Sequence, residues 1–218
     1  MIEIRPYEPD DRPAVRNICF VTGYMGDPVD HLWRDAASFA DMFSVYYTDR
    51  EPQSAQVAVA EDGRVIGYLL GCVDSQQAWG IESIMRRHVV RRGLLVRPGT
   101  AGFLWRSMGD LARDALRRQM PPQPVHDARW PAHLHIDLLP EARGQGVGER
   151  LMRGWLDSLR GAGVAGCHLE TWAENAAAIR FFEAQGFRIE GPQVNMPGMR
   201  APDGSRHHSQ LMVQSFGS

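Results

Sequence analysis

The sequence contains no lysine, so all 24 side chains counted as Lys or Arg are arginine. Cysteine is also scarce, and the three present (Cys19, Cys72 and Cys167) are odd in number and far apart. This spacing argues against a disulfide framework and a CxxC metal site, and it favours a reducing, cytoplasmic location. The lack of lysine is typical of a GC-rich bacterial genome and carries no chemistry of its own.

Long apolar runs and a large excess of charge are missing as well. No stretch approaches the roughly 20 apolar residues that a membrane-spanning helix needs. The formal net charge is −2, which gives no indication of a nucleic acid or an anionic membrane as partner. With 218 residues, of which 44% are hydrophobic and 23% charged, the chain is expected to form a single globular domain.

The most informative segment is a glycine-rich turn between a strand and a helix. The strand ends near Leu139, the turn reads Arg-Gly-Gln-Gly-Val-Gly over residues 143–148, and Val147, Leu151 and Trp155 then recur every four residues. Glycines let the backbone approach a ligand closely, and the unpaired amides of a helix start favour phosphate groups. The sequence fits neither a P-loop nor the G-x-G-x-x-G dinucleotide fingerprint. It therefore predicts a pyrophosphate-binding turn of another type.

A second ordered segment follows downstream. Residues 168–171 read as a strand, and Asn175 then begins a helix that ends at Gly186, with Phe187 starting another strand. Asparagine is a preferred helix N-cap, and glycine is preferred just past a helix end.

Together, these two segments resemble the signatures of the GNAT N-acetyltransferases. Arg143-x-x-Gly146-x-Gly148 resembles the family's coenzyme A loop, and Asn175-x-x-Ala178-x-x-Phe181-Phe182-x-x-x-Gly186-Phe187 is similar to its second motif. The resemblance covers Leu134 to about Glu190. It implies a mixed α/β GNAT fold: a central, mostly antiparallel sheet, splayed between its fourth and fifth strands and flanked by helices. It also implies acetyl-CoA as cosubstrate, without a metal, held by Leu138, Leu139, Arg143, Gly144, Gln145, Gly146, Val147, Gly148, Asn175, Phe181 and Phe182.

The remaining sequence is consistent with that fold. Strands are predicted at 2–5, 56–60, 64–74, 133–139, 187–190 and 210–216, and helices at 11–22, 32–43 and 102–119. Residues 120–124 are predicted to form a proline-rich loop, and 75–100 are left unassigned. The whole chain, 1–218, is expected to be a single GNAT acetyltransferase domain with an enlarged insert around 75–130.

Short strings also resemble one branch of the family. The Ile4-Arg-Pro-Tyr7 start, the Tyr24-Met-Gly stretch and residues 67–74 look like the acetyltransferase-like domain of eukaryotic O-GlcNAc hydrolases and its stand-alone bacterial relatives. Because the cofactor loop is intact here, the bacterial type is the better match.

Acetyl transfer to an amine needs a group that takes up the ammonium proton. His133, His135 and Asp137 alternate along the central strand and should share one face. Asp137, Asp74 at the end of the neighbouring strand, and Tyr24 at the mouth are the candidate catalytic residues, and Asp74 is expected to share a pocket with Asp137. The structural alternatives are a buried carboxylate for Asp137, a turn residue for Asp74 and plain packing for Tyr24.

One position departs from the family pattern. Phe182 lies where the family often has a tyrosine that protonates the leaving thiolate, and a phenyl ring has no such proton. The resemblance implies direct acetyl transfer from acetyl-CoA to a primary amine, of a small molecule or of a peptide or protein, and Phe182 leaves the acid unidentified. Two alternatives stay open: a non-catalytic acyl-CoA- or peptide-binding module, and a metal-dependent hydrolase using His133, His135 and Asp137. Dimers are common in similar families, so a homodimer is an alternative to a monomer.

Overall fold

A computed structural model describes residues 2–119 and 125–217. In these residues one mixed sheet is flanked by six α-helices. The strands are β1 Glu3–Pro6, β2 Ala55–Val59, β3 Val65–Cys72, β4 Ala132–Leu138, β5 Gly166–Trp172, β6 Arg188–Ile189, β7 Val194–Arg200 and β8 Arg206–Ser215. The helices are α1 Arg12–Val21, α2 Ala36–Arg50, α3 Ile81–Arg92, α4 Ala101–Leu116, α5 Val147–Gly161 and α6 Ala176–Ala184.

The sheet runs in the order β1-β2-β3-β4-β5-β8-β6, and β7 pairs with β8. All of these pairs are antiparallel except β4–β5, which is parallel. A parallel pair needs a crossover connection, and α5 supplies it. The cofactor turn predicted at 143–148 therefore lies at the carboxyl end of β4, where the crossover begins.

Each face of the sheet is covered by its own core. Alternation along β4 turns Leu134, Ile136 and Leu138 towards α5, where Trp155 is among the largest buried side chains. On the opposite face, Tyr68 and Leu70 of β3 pack with α1 and α2. The predicted separation of His133, His135 and Asp137 from the apolar β4 residues is confirmed, since Phe43 and Tyr47 of α2 contact His135 and His133.

The second helix differs from its prediction at 32–43. It begins at Ala36 because Asp35 is its N-cap, accepting a hydrogen bond from the Ser38 amide at 2.9 Å. It continues to Arg50 through a segment of low helix propensity, Tyr46-Tyr47-Thr48. Tertiary packing overrides that propensity, since Tyr47 contacts His133 across the sheet face.

The segment between β3 and β4 contains α3 and α4, of which only α4 was predicted; the loop predicted at 120–124 lies outside the described residues. Asp110 of α4 anchors this segment to β7 and β8, accepting hydrogen bonds from the Gly198 amide at 2.9 Å, from Arg200 at 2.6 Å and from Arg206 at 2.8 Å. Asp35 holds the other end through Arg92 and Arg97. Both aspartates are almost fully buried.

Candidate active site

A cleft opens where β4 and β5 separate. The two strands are paired only at Ala132 with Cys167 and at His133 with His168, although β4 continues to Leu138 and β5 to Trp172. The splay predicted between the fourth and fifth strands is therefore present. The cleft has a volume of about 270 Å³ and is lined by residues 134–137 of β4, 169–172 of β5, the start of α6, and parts of α1, α2 and β7.

The edge of β4 offers backbone amides to this cleft. Leu139 donates its amide to the Ile66 carbonyl at 2.9 Å, so that amide is directed at β3 and is not available to a ligand. In an antiparallel ladder successive residues point their amides to opposite sides. The amides of Ile136 and Leu138 therefore point into the cleft. Of the two residues here expected to hold acetyl-CoA, Leu139 therefore has its amide bound to β3, and Leu138 has an amide directed at the cleft.

The turn at 143–148 has the conformation that its glycines predict. Gly144 and Gly146 have φ of +71° and +69°, and open space surrounds the position of a Cβ at each. Gly146 is the N-cap of α5 and has no side chain to cap the helix. Within the described chain, no acceptor bonds the backbone amides of residues 144–149. A row of free amides at the positive end of a helix suits a pyrophosphate.

The side chains of this turn have structural contacts. Arg143 donates from Nε to the Leu138 carbonyl at 3.0 Å and from Nη2 to the Gly26 carbonyl at 2.7 Å. It thereby fixes the loop after α1 against the end of β4. Gln145 donates to the carbonyl of Glu141, and Val147 is buried in the core. What the turn offers a ligand is thus its backbone.

Helix α6 forms another wall of the cleft. Asn175 is its N-cap, and its Oδ1 accepts a hydrogen bond from the Ala178 amide at 3.0 Å. The Phe181 ring packs against Gly148, where an added Cβ would lie 3.1 Å from its Cζ. Phe182 is 7% exposed, lines the cleft and packs between Phe181 and Phe187.

The polar centre of the cleft is a hydrogen-bonded unit of His135, Tyr68 and Asp137. The Tyr68 hydroxyl donates to Asp137 Oδ2 at 2.6 Å and lies 3.2 Å from His135 Nδ1. A phenol has one proton, and here the carboxylate receives it. The Tyr68 oxygen can then only accept from His135, which places the imidazole proton on Nδ1. In a neutral His135, Nε2 then carries the lone pair and lies 3.8 Å from Asp137 Oδ2, beyond hydrogen-bond distance.

Burial raises the pKa of Asp137, while nearby His135 and the Tyr68 hydroxyl act in the opposite direction. Desolvation also raises the pKa of Glu170, whose carboxylate accepts a hydrogen bond from Ser209 Oγ at 3.2 Å. Glu170 lines the cleft from β5.

Asp74 does not share this cleft. In the β3–β4 ladder Cys72 lies opposite His133 and Tyr68 opposite Asp137, and Ser75 donates its amide to the Pro131 carbonyl at 2.8 Å. Asp74 is therefore level with the start of β4, six residues or roughly 20 Å from Asp137 at about 3.4 Å per residue. Its carboxylate accepts from Gln76 N and Gln77 Nε2 in a turn. The expectation that the two carboxylates share a pocket is wrong.

Tyr24 lies behind the wall of the cleft. Its hydroxyl is 2.8 Å from His207 Nε2, and its ring packs edge-on against Trp172, which does line the cleft. His207 is buried, and its Nδ1 is 3.2 Å from Glu174 Oε2. Tyr24 thus supports Trp172, and its hydroxyl is directed away from the cleft.

The histidines and cysteines complete the description. His133 Nε2 is 2.7 Å from the Tyr47 hydroxyl, and burial beside His168 lowers the pKa of His133 to about 3. No group of three His, Cys, Asp or Glu side chains that could hold a metal is found in residues 2–119 and 125–217, so His133, His135 and Asp137 do not form a metal triad there. Cys19 lines the cleft, but burial raises the pKa of its thiol.

Tyr68 and Glu170 were missed from the sequence. The signal for Tyr68 was its position in an apolar strand, where a lone hydroxyl needs a partner. Glu170 was detectable as the acidic residue two positions after His168 on the same face of β5.

Comparison with known proteins shows the same fold. The profile of the acetyltransferase (GNAT) family matches residues 119–187, the segment from the end of the insert to the start of β6. This match covers about a third of the chain, and together with the splayed sheet it shows the GNAT fold.

Several solved structures share this fold over nearly the whole chain. SsHAT is 27% identical, with a TM-score of 0.64 and 98% of both chains covered. The fold is also that of yncA from Salmonella typhimurium, solved with its cofactor acetyl-CoA (16% identity, TM-score 0.57, 98% and 93% covered). The Drosophila melanogaster polyamine N-acetyltransferase, which forms N-acetylagmatine, shares it too (15% identity, TM-score 0.58, 99% and 100% covered). None of the helices in the described residues is long and apolar enough to span a membrane.

Proposed function

We propose that this protein transfers an acetyl group directly from acetyl-CoA to a primary amine. The observation that carries the proposal is two groups of free backbone amides, those of Ile136 and Leu138 at the splayed edge of β4 and those of the turn at 144–149. These groups suit a long ligand with amide-like groups at one end and a pyrophosphate at the other. Acetyl-CoA supplies an activated acetyl group to that site.

The residues present fit this ligand in three places. The amides of residues 144–149 would receive the pyrophosphate, and those of Ile136 and Leu138 the pantetheine and the thioester oxygen. Asn175 and Phe182 of α6 would flank the pantetheine arm, as would Phe181 through its packing on Gly148. The Leu139 amide and the Arg143 guanidinium have other partners and are not assigned to the ligand.

His135 Nε2 is the group proposed to take up the ammonium proton. It carries the free lone pair that the Tyr68 and Asp137 hydrogen bonds leave, and the His135 side chain is 32% exposed. Histidine is the side chain best suited to this step near neutral pH. Asp137 then orients the imidazole through Tyr68. Direct proton uptake by the Asp137 carboxylate is the competing assignment, and single variants distinguish the two.

No acyl-enzyme is part of this mechanism. Burial raises the pKa of Cys72 and Cys167 to about 12 and raises that of Cys19 as well, so none of the three thiols readily forms the thiolate that attack on a thioester requires. The amine attacks the thioester carbonyl, and the departing thiolate takes a proton from water because Phe182 cannot donate one.

Phe182 also favours a second candidate, a module that binds acyl-CoA without turnover. One experiment separates the two: the protein is incubated with acetyl-CoA and a panel of small amines and N-terminal peptides, and free CoA thiol is measured. Amine-dependent thiol release supports the enzyme. Binding of acetyl-CoA with no release on any amine supports the binding module. The relation to O-GlcNAc hydrolase domains, the cytoplasmic location and the homodimer stay predictions.

A further inference from the structure

The half of the cleft that would receive the amine carries charge of one sign. The β4–β5 register, His133 opposite His168, places His135, Asp137, Glu170 and Trp172 on the α2 face, away from α5. We call these four residues, with Phe43 and Met199, the acceptor chamber. Two of the six are carboxylates, and no arginine is among the described residues that line the cleft.

Cations near the chamber are already engaged. Arg143 is bound to the Leu138 and Gly26 carbonyls at the cofactor end. Arg16, three residues before Cys19 on α1, forms an ion pair with Asp41. The hydrogen-bond partners of the two chamber carboxylates are hydroxyls, Tyr68 for Asp137 and Ser209 for Glu170, and His135 Nε2 lies 3.8 Å from Asp137 Oδ2. Asp137 is half-buried and Glu170 is exposed at the cleft. Carboxylates whose hydrogen-bond partners are neutral hydroxyls favour a cationic ligand.

Trp172 makes the Glu170 end a second cation site. It lies two residues after Glu170 on the same face of β5, and both residues line the cleft. Contacts with Tyr24 at 5.3 Å and His207 at 5.0 Å between ring centroids hold the indole in place. A carboxylate next to an aromatic face suits an ammonium or guanidinium group. By the register that aligns His133 with His168, Glu170 faces His135 and Trp172 faces Asp137 across the gap between the splayed strands.

We propose that the acetyl acceptor is a primary amine with a second cationic group, a diamine or a guanidino-amine. The inference rests on the proposed function and narrows it to a substrate class. The reacting amine lies at His135 and Asp137, and the distal cation lies at Glu170 and Trp172. An acceptor with a carboxylate tail would meet the negative charge of Glu170 and be disfavoured.

Three acceptors of similar length test the distal site: 1,5-diaminopentane, hexylamine and 5-aminopentanoate, with cationic, apolar and anionic ends. The expected order of kcat/KM is diamine, then hexylamine, then amino acid, with the diamine ahead of hexylamine by about tenfold or more, the scale of a charge-assisted hydrogen bond. Glu170→Gln should reduce the diamine-to-hexylamine ratio by about tenfold. The matched control is Glu183→Gln, which removes an exposed charge on α6 outside the cleft and should leave the ratio unchanged.

A wild-type diamine-to-hexylamine ratio of kcat/KM near one, or a ratio that Glu170→Gln does not change, would overturn the inference. If none of the three amines is acetylated, the proposed function fails on this panel, and binding decides the inference separately. Calorimetry with CoA-saturated protein should then still show 1,5-diaminopentane binding more tightly than hexylamine. Equal binding of the two amines, or no binding of either, would contradict the proposed cation site.

Discussion

The Tyr68 hydroxyl donates to Asp137 Oδ2 at 2.6 Å, joining two residues 69 positions apart at the point where the sheet splays. Because that proton is committed, the tautomer of His135 follows from hydrogen-bond chemistry alone. The pair links the fold to the proposed chemistry, since the β3–β4 register that aligns Tyr68 with Asp137 also determines which nitrogen of His135 is free.

Tyr68→Phe should shift the pH profile of kcat/KM. The proposed mechanism needs Asp137 as carboxylate and His135 as neutral imidazole, so activity appears as both groups lose their protons with rising pH, and burial already raises the pKa of Asp137. Removing the donor that favours the charged form raises this pKa further, so the acid limb should move to higher pH. We also expect an activity loss of about tenfold from the lost orientation. Tyr46→Phe, outside the cleft, is the control; an unmoved acid limb in Tyr68→Phe would show that Asp137 does not govern it.

His135→Gln and Asp137→Asn should each lower kcat by on the order of 10²-fold, the scale of general base catalysis. Acetyl-CoA affinity should change little. Because the two residues act as one unit, the double variant should lower kcat by a factor smaller than the product of the two single factors. Asp74→Asn is the control, and steady-state kinetics on any accepted amine provides the measurement. Full activity in His135→Gln with a large loss in Asp137→Asn would move the base to the carboxylate.

Phe182→Tyr restores the hydroxyl that the family often has at this position. The ring is buried between Phe181 and Phe187 but borders the cleft, so a para hydroxyl can point towards the ligand. We expect acetyl-CoA binding to persist and turnover not to fall; a gain is bounded by the 10²–10⁴-fold typical of general acid help. Turnover that appears only in the variant would favour the binding module for the natural protein. Loss of acetyl-CoA binding would mean that the Phe182 ring packs too tightly to accept an added hydroxyl.

Asp110→Asn should destabilise the fold without touching the cleft. Burial alone would raise the pKa of Asp110, but Arg200, the Gly198 amide and Arg206 outweigh it and lower the pKa from 3.8 to about 2. This corresponds to roughly 2 kcal/mol of stability at 1.36 kcal/mol per unit, present above pH 4 and lost as pH falls through 2. Denaturant unfolding at pH 7 and near pH 2 should show the deficit only at the higher pH. An equal deficit at both would indicate packing rather than charge, and exposed Asp203→Asn is the control.

The sequence predicted best where the signals are local. The strand, turn and helix around 143–148 and the capped helix at Asn175 depend on glycine conformation, capping and short-range periodicity. Both segments appear in the structure as predicted. The start of α2 was misplaced although Asp35 is an ordinary N-cap, because the apolar residues before it have helical spacing. β7 was missed since Pro197 and Gly198 interrupt its alternation.

The candidate site was predicted less completely because it depends on register. Pairing of Tyr68 with Asp137, and the separation of Asp74 from Asp137, follow from how β3 aligns with β4 across a long insert. A two-residue shift in that alignment would change every partner on the face, and nothing local in the sequence specifies it. The hydrogen bond from the Leu139 amide to the Ile66 carbonyl likewise follows from the pairing of β4 with β3, and the motif does not predict it.

The most direct test of the account is CoA binding measured by calorimetry on three proteins. The wild type should bind with micromolar-range affinity, about −8 kcal/mol. Gly146→Val should weaken binding by at least about tenfold, because a branched side chain at φ +69° distorts the free-amide turn. Gly63→Val imposes similar strain at φ +84° in a hairpin turn away from the cleft and should bind like the wild type. No binding by the wild type, or equal binding by Gly146→Val, would contradict the assignment of this turn as the acetyl-CoA site.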